Sequence, residues 1–221
     1  MGAAIFQRRA SEPLENHLSR WPWSDLVSLC RRHARHLPSE ARILELGCGV
    51  GANIPFFLAQ GWRYFAVEGS ASAAAQAARD FPMLQDAVRV ADFTAELPFS
   101  GAFDLVVDRA ALTHNCERDI RLALARVREC LVPGGLYIGV DWFSTRHADY
   151  GRGAAAEDAW TRRDYEQGAF GGVGRVHFSD SGHLRDLFAG WEWLAMEEKT
   201  IERFAPEPAT LAMWSFVVRK P

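Results

Sequence analysis

The chain has 221 residues, 48% of them hydrophobic and 24% charged, with a formal net charge of −3 at pH 7. These are globular values that suit one domain with an ordinary core, and the charge argues against a general binder of nucleic acid or membrane surface. No uninterrupted apolar run is long enough to span a bilayer. Cys30, Cys48, Cys116 and Cys130 lack the paired spacing of a disulfide scaffold or a structural zinc site, and the stretch from Met1 to Arg9 lacks the order of a secretory signal. The expectation is a cytoplasmic protein with reduced thiols, a small partner and no metal.

Residues 1–40 read as a helical preface. Ser24 is placed to cap a helix running to about residue 37, with Leu26, Cys30, Ala34 and Leu37 on one face and Arg31, Arg32 and Arg35 near its C-terminal end. Just before it, Trp21 and Trp23 flank Pro22. Two roles stand for them: stapling the preface to the domain, or covering a bound cofactor.

Next comes a short apolar run, Arg42-Ile43-Leu44-Glu45-Leu46, that ends in Gly47-Cys48-Gly49-Val50-Gly51-Ala52-Asn53. Strand, glycine turn and helix in that order bring backbone N–H groups against a nucleotide-like ligand, because glycine permits positive φ and close approach. Asn53 is placed to cap the following helix, Pro55 fits its first turn and Gly61 ends it. The turn admits two patterns. Gly47, Gly49 and Ala52 fit a dinucleotide fingerprint, whereas Gly47, Gly49 and Gly51 follow an acid, Glu45, two places ahead. The residues downstream have to decide between them.

A second strand, residues 63–67, ends in Glu68-Gly69-Ser70. An acid roughly 20 positions past the glycines is where a ribose diol is held, and it would repel a 2′-phosphate. Ser70 caps an alanine-rich helix to about residue 80. The third strand, residues 88–91, ends in Asp92-Phe93. A carboxylate followed by a large ring can accept from an adenine amine while the ring packs on the base; a turn cap is the plainer role. Residues 103–107 form the fourth strand. Its exit, from Asp108 through Arg109 and His114, is expected beside the glycine loop at the topological switch point of the sheet. An amphipathic helix follows over 117–131, ended by Pro133-Gly134-Gly135, and residues 136–140 form the fifth strand.

In order and spacing, E-L-G-C-G-V-G, V-E-G-S, A-D-F, F-D-L-V-V-D-R and L-V-P-G-G-L-Y-I resemble the cofactor core of class I S-adenosylmethionine-dependent methyltransferases, especially the small-molecule group called type 11. The resemblance covers residues 41–140. It implies a doubly wound α/β fold: a mostly parallel seven-stranded sheet with an antiparallel terminal strand. It also implies S-adenosyl-L-methionine as cofactor and S-adenosyl-L-homocysteine as product. Carried over residue by residue, it places Glu45 at the methionine end of the cofactor, and Gly47, Gly49 and Gly51 in backbone contact with it. Glu68 with Gly69 then lies at the ribose, Asp92 and Phe93 at the adenine, and the Asp108 backbone at the methionine ammonium.

Residues 141–178 are rich in glycine, arginine and aromatics, and a connection that long is a functional element more often than filler. It is read as an acceptor-binding lid. Its acids and bases nearly balance, so it is no groove for a phosphate backbone. Residues 179–221 close a single domain spanning 1–221. Ser179 or Asp180 caps a helix, and two strand-like runs, 191–203 and 210–219, flank Pro206-Glu207-Pro208, suiting an antiparallel addition where a nicotinamide-binding half would continue in parallel.

The chemistry expected is methyl transfer by in-line displacement to a small-molecule acceptor, at oxygen or nitrogen. His114 is the first choice for a base and His177 the second, because histidine titrates near neutral pH. Arg109 and Arg175 suit an acceptor carboxylate or phosphate. No D-P-P-Y-like stretch follows Val107, and no Pro-Cys pair marks cytosine C5 chemistry. Two alternatives remain at this stage: a nicotinamide-dependent oxidoreductase, and a non-catalytic binder of an adenosyl ligand.

Overall fold

The structure, a computed structural model, describes residues 19–221. Expectations that fall on residues 1–18, including the stretch from Met1 to Arg9 and the start of the preface, lie outside it. Its frame is a seven-stranded sheet in the order β3-β2-β1-β4-β5-β10-β9. The strands are β1 (Arg42–Leu46), β2 (Arg63–Glu68), β3 (Val88–Val90), β4 (Phe103–Arg109), β5 (Leu131–Phe143), β9 (Glu192–Arg203) and β10 (Ala209–Arg219). β1 to β5 pair in parallel, and β10 runs antiparallel to both β5 and β9. Only β10 therefore opposes the rest, and it sits one place in from the edge.

Alternation along the central strands explains the layers, since successive side chains point to opposite faces. Ile43, Leu105, Val107, Ile138 and Val140 pack with Leu26 and Leu29 of α1 (Ser24–His33), Phe57 of α2 (Ile54–Ala59) and Ala74 of α3 (Ala71–Asp80). Leu44, Leu46, Val106 and Tyr137 pack instead with Ile120, Leu124 and Val127 of α4 (Glu117–Cys130), and with Leu184 of α5 (Ser181–Leu187). Both faces are covered, which is why β1 carries buried side chains at four of its five positions. Among the described residues no helix is long and apolar enough to cross a membrane.

Three local expectations change. α1 ends at His33 rather than near 37, and Trp23 occupies its N-cap position without a side-chain cap, so Ser24 is the first helical residue. β5 begins at Leu131, directly after α4, rather than at 136. Leu131 pairs with Phe103 and Leu136 with Leu105, and the proline and glycines between them form an excursion in which Gly134 has φ +77°. Its N–H finds the Lys220 carbonyl at 2.9 Å, so the interruption stays hydrogen-bonded within the sheet. As expected, Ser70 caps α3 and Asp180 caps α5 through their side chains.

Between β5 and α5, β6 (Ala154–Ala155), β7 (Thr161–Arg163) and β8 (Val176–His177) form a small antiparallel sheet. Tyr165, Phe170, Val176 and Phe178 are its own apolar centre. The Asp158 carboxylate accepts the Glu117 N–H at 2.8 Å, so this insert supplies the N-terminal cap of α4.

The tightest point in the sheet is Gly139 of β5, where an added Cβ would stand 2.5–2.9 Å from three ring atoms of the fully buried Phe216. Gly139→Ala is expected to destabilise the fold by about 1–3 kcal/mol, read as a lower urea midpoint. An unchanged midpoint would mean the β5–β10 face is looser than described.

Candidate functional site

The β1–α2 turn carries three glycines at positive φ: Gly47 (+69°), Gly49 (+57°) and Gly51 (+89°). At Gly47 a Cβ would stand 2.4 Å from the Ala111 Cβ, so the turn lies directly against the exit of β4. At Gly49 a Cβ would meet nothing within 4 Å, which leaves that backbone facing open space. Here, between β1 and β4, the order of the sheet reverses, and a cavity of about 140 Å³ opens. Glu45, Gly47, Gly49, Asn53, Arg109 and Trp23 are among its lining residues.

Glu45 is 1% exposed. Its two carboxylate oxygens accept from Asn53 Nδ2 at 2.7 Å and from the Tyr64 hydroxyl. Burial pushes its pKa up to about 7; the Tyr64 and Asn53 hydrogen bonds resist the rise, and the nearby Glu68 and Asp108 charges add to it. Asn53, expected as a helix cap, makes no capping bond. Its amide is committed to the buried carboxylate, because a charge without donors in the interior costs more than an uncapped N–H at a helix end. On its other side, Asn53 Oδ1 accepts the Trp23 N–H at 3.1 Å and ties the start of α1 over the cavity.

Glu68, at the tip of β2, accepts from Gly49 N and Ser70 N, each at 2.8 Å. It fixes the glycine turn to the second strand, and Gly69 follows it in an exposed position. Asp108 is fully buried and accepts from Ala111 N (2.8 Å), Leu112 N (3.2 Å), Tyr137 Oη (3.2 Å) and Trp142 Nε1 (2.6 Å). Burial lifts its pKa to about 6 against those four donors. Its side chain thus sets the turn after β4, where Ala110 has φ +54°. The next residue, Arg109, pairs with Asp141 at 2.7 Å and lays its guanidinium 3.4 Å from the centre of the Trp23 ring.

The other expected site residues lie farther out. Asp92 accepts from Thr94 N (2.9 Å) and Thr94 Oγ1 (2.6 Å) in a turn beyond β3, and Phe93 packs half-buried on the α4 side of the sheet. His114 lies in the 112–114 turn with Nδ1 3.2 Å from the Arg175 carbonyl. A carbonyl only accepts, so Nδ1 bears the proton; burial lowers the pKa and keeps the ring neutral. His177 is fully buried away from the cavity, with Nδ1 3.0 Å from Thr161 Oγ1 and Nε2 3.0 Å from His183 Nε2. Thr161 donates to Asp158, so His177 Nδ1–H donates to Thr161 and His183 Nε2–H donates to His177. Both nitrogens are occupied in docking the insert onto α5. His177 therefore packs, correcting its expected place at the acceptor.

A family model described as a methyltransferase domain matches residues 44–137, the stretch that contains the turn, both strand-tip acids and β4. Those residues form a methyltransferase domain of the S-adenosylmethionine-dependent class. No curated protein matches its sequence. Solved structures with the same fold include an S-adenosylmethionine-dependent methyltransferase from Methanosarcina mazei, at 17% identity over 85% of this chain and 95% of that one, with a TM-score of 0.66. The N-methyltransferase NodS from Bradyrhizobium japonicum aligns at 16% identity over 89% and 95%, with a TM-score of 0.58. CalS10, a SAM-bound amino pentose methyltransferase from Micromonospora echinaspora, aligns at 21% over 89% of each chain, with a TM-score of 0.54. At these identities the likeness is one of fold.

The residues of this methyltransferase fit its cofactor. Backbone at Gly49 is open, a carboxylate stands in the cavity wall, and the buried Arg109 Nε lacks a hydrogen-bond partner among the described residues. The nicotinamide alternative loses its footing, because β10 enters the sheet antiparallel where a second dinucleotide half would continue in parallel.

Sequence reasoning did not pick out Tyr64 or the Asn53–Trp23 link. Tyr64 pairs with Ile43 in register and so lies two residues from Ala66, the partner of Glu45, on the same face of the sheet, information that only the β1–β2 register carries. Tyr64→Phe removes one of the two donors to a buried carboxylate. It is expected to cost about 1.5–3 kcal/mol and to raise the Glu45 pKa further, measured by carbon NMR of labelled glutamate. A pKa that stays put would show that the Tyr64 hydroxyl does not support Glu45.

Proposed function

We propose that this methyltransferase transfers a methyl group to a small molecule, at oxygen or nitrogen, and that the cavity between β1 and β4 is where the cofactor binds. The observation that carries the reading is the strap over that cavity: residues 19–23 cross it, held by Asn53 and Arg109, and Arg109 is the single cation among the described residues that line it. A polymeric acceptor needs an accessible groove; a small one needs a water-excluding pocket. S-adenosylmethionine supplies a methyl group on a positively charged sulfur, which an acceptor lone pair displaces in line.

The chain contributes position and charge, worth up to about 7–11 kcal/mol in well-aligned reactions. Glu45 offers a carboxylate to the ammonium of the amino-acid end, Gly47, Gly49 and Gly51 let backbone approach, and Glu68 stands at the ribose. Asp92 and Phe93, beyond β3, extend the site toward the adenine. The Asp108 backbone, held by its four-donor side chain, borders the methionine end. His114 serves as base: it follows the β4 exit, touches the insert through Arg175 and the end of β5 through the Phe143 ring, and is neutral at physiological pH. The 141–178 segment, beyond the end of β5 at Phe143, then supplies the acceptor side of the pocket.

Calorimetric titration tests the cofactor assignment. S-adenosylmethionine and S-adenosylhomocysteine are expected to saturate the protein and NADH is not; the reverse preference would overturn it. A screen of hydroxyl- and amine-bearing small molecules, scored by S-adenosylhomocysteine release, tests the acceptor class; turnover on protein or nucleic acid alone would contradict it.

Binding of a cation favours ionised Glu45, whose pKa is raised to about 7. Affinity for S-adenosylmethionine therefore rises with pH up to about 7 and levels off above it, with a loss approaching tenfold per unit below. A flat profile across that range would remove Glu45 from the binding site. His114→Ala is expected to lower kcat while leaving cofactor affinity within about twofold, since a base acts in the transition state only. Parallel losses in both would mean that His114 packs.

A further inference from the structure

Arg109 is the one cation among the described residues that line the β1–β4 cavity, and the surrounding charges do not consume it. Its ion pair with Asp141 runs through Nη2 alone, at 2.7 Å. The guanidinium lies face-on to Trp23. Stacking of that kind covers the π-face and leaves the in-plane N–H groups free to form hydrogen bonds. One of these, Nε, is buried and has no partner among the described residues. A buried charged donor left unpaired is costly, and such groups are kept where a ligand completes them.

The cavity, at about 140 Å³, is smaller than the roughly 300 Å³ at which small-molecule pockets begin. The 19–23 strap therefore moves outward to admit a ligand. It is held to the cavity wall by one backbone hydrogen bond, Trp23 N to Asn53, and by the Arg109 stack. Lifting the strap opens space beside the guanidinium's in-plane N–H groups. Glu45 and Arg109 then present one anion and one cation to the same space, the complement of an α-amino acid zwitterion.

We propose that Arg109 is a positioning residue that binds the α-carboxylate of the cofactor's amino-acid end, with Asp141 holding the guanidinium in place. This rests on the reading of the cavity as the cofactor cleft. In that role Arg109 grips the non-reacting end of the cofactor, and no acceptor group is assigned to it.

The test is calorimetric and uses two ligands without a sulfonium charge: S-adenosylhomocysteine, and 5′-methylthioadenosine, which keeps the adenosine and thioether but lacks the amino-acid end. The full chain is expected to bind S-adenosylhomocysteine more tightly. Arg109→Met is expected to weaken S-adenosylhomocysteine by about tenfold to a hundredfold while leaving 5′-methylthioadenosine within about twofold. Arg109→Lys, which keeps charge and stem, is expected to show a smaller loss with the same selectivity, and it carries the comparison should Arg109→Met fail to fold.

Equal weakening of both ligands would mean that Arg109 only supports the strap, and unchanged S-adenosylhomocysteine binding would mean that it does not touch the cofactor; either result overturns the inference while the cleft stands. If the wild-type chain binds neither ligand, the reading of the cavity as the cofactor cleft fails, and the inference fails with it.

Discussion

Everything at the β1–β4 edge answers to one constraint: Glu45 is a carboxylate in the middle of a parallel sheet, with almost no contact with water. Removing such a group from solvent costs several kcal/mol unless donors replace the water. Two are supplied, from Tyr64 on the adjacent strand and from Asn53 at the start of α2. The second of these has structural consequences. With its amide directed to Glu45, Asn53 presents its carbonyl to the Trp23 N–H, and the strap before α1 is thereby drawn across the cavity. A single buried acid so determines where the second helix begins and what covers the space above the turn.

Asp108 repeats the pattern on the neighbouring strand, with four donors around a carboxylate that no solvent reaches. Two of those donors are backbone N–H groups of the turn that follows, so the acid shapes the chain at the place where Gly47 must pass close to Ala111. Glu68 does the equivalent for the other side by holding Gly49. Three acids on three adjacent strands thus set a glycine turn in which the backbone, freed of Cβ atoms, forms one wall. Burial, with the nearby Glu68 and Asp108 charges adding to it, raises the pKa of Glu45 to about 7, so an arriving cation favours its ionised form.

The insert is organised by a different principle. Asp158, Thr161, His177 and His183 form a chain of hydrogen bonds in which each proton has one consistent position, and Asp158 also caps α4. The Trp160 ring stacks on His183 at 4.1 Å, closing that chain from the insert's side. These contacts are internal to the protein and fully spent. The aromatic layer of Phe143, Phe170 and Phe178 beneath them gives the insert a small core of its own, next to the turn that carries His114.

Much of the fold was legible because it rests on local rules. The strand–glycine–helix step at residues 42–59, the alternation of the strands, and the Ser70 and Asp180 caps follow from periodicity and capping chemistry. Glu45 and Glu68 were readable for the same reason, as acids at fixed distances from the glycines. Asn53 was misjudged because its role depends on a buried neighbour eight residues back, and a cap signal cannot sense burial. His177 was misjudged likewise: a histidine's task is set by the partners on its two nitrogens, here residues 161 and 183, which only tertiary structure brings together. The start of β5 at Leu131 was hidden by Pro133 and the glycines, which read locally as a turn and in the sheet serve as an excursion within a strand.

Hydrogen–deuterium exchange with and without S-adenosylmethionine tests most directly whether the acid-bounded turn is where the cofactor lies, because bound ligand slows exchange at the amides it covers. Protection is expected at residues 47–53 and 68–70. The larger charged cavity formed by Cys116, Glu117, Arg121, Asp158 and Arg175 is expected to stay unchanged. Protection confined to that second cavity, with the glycine turn exchanging as before, would contradict the account.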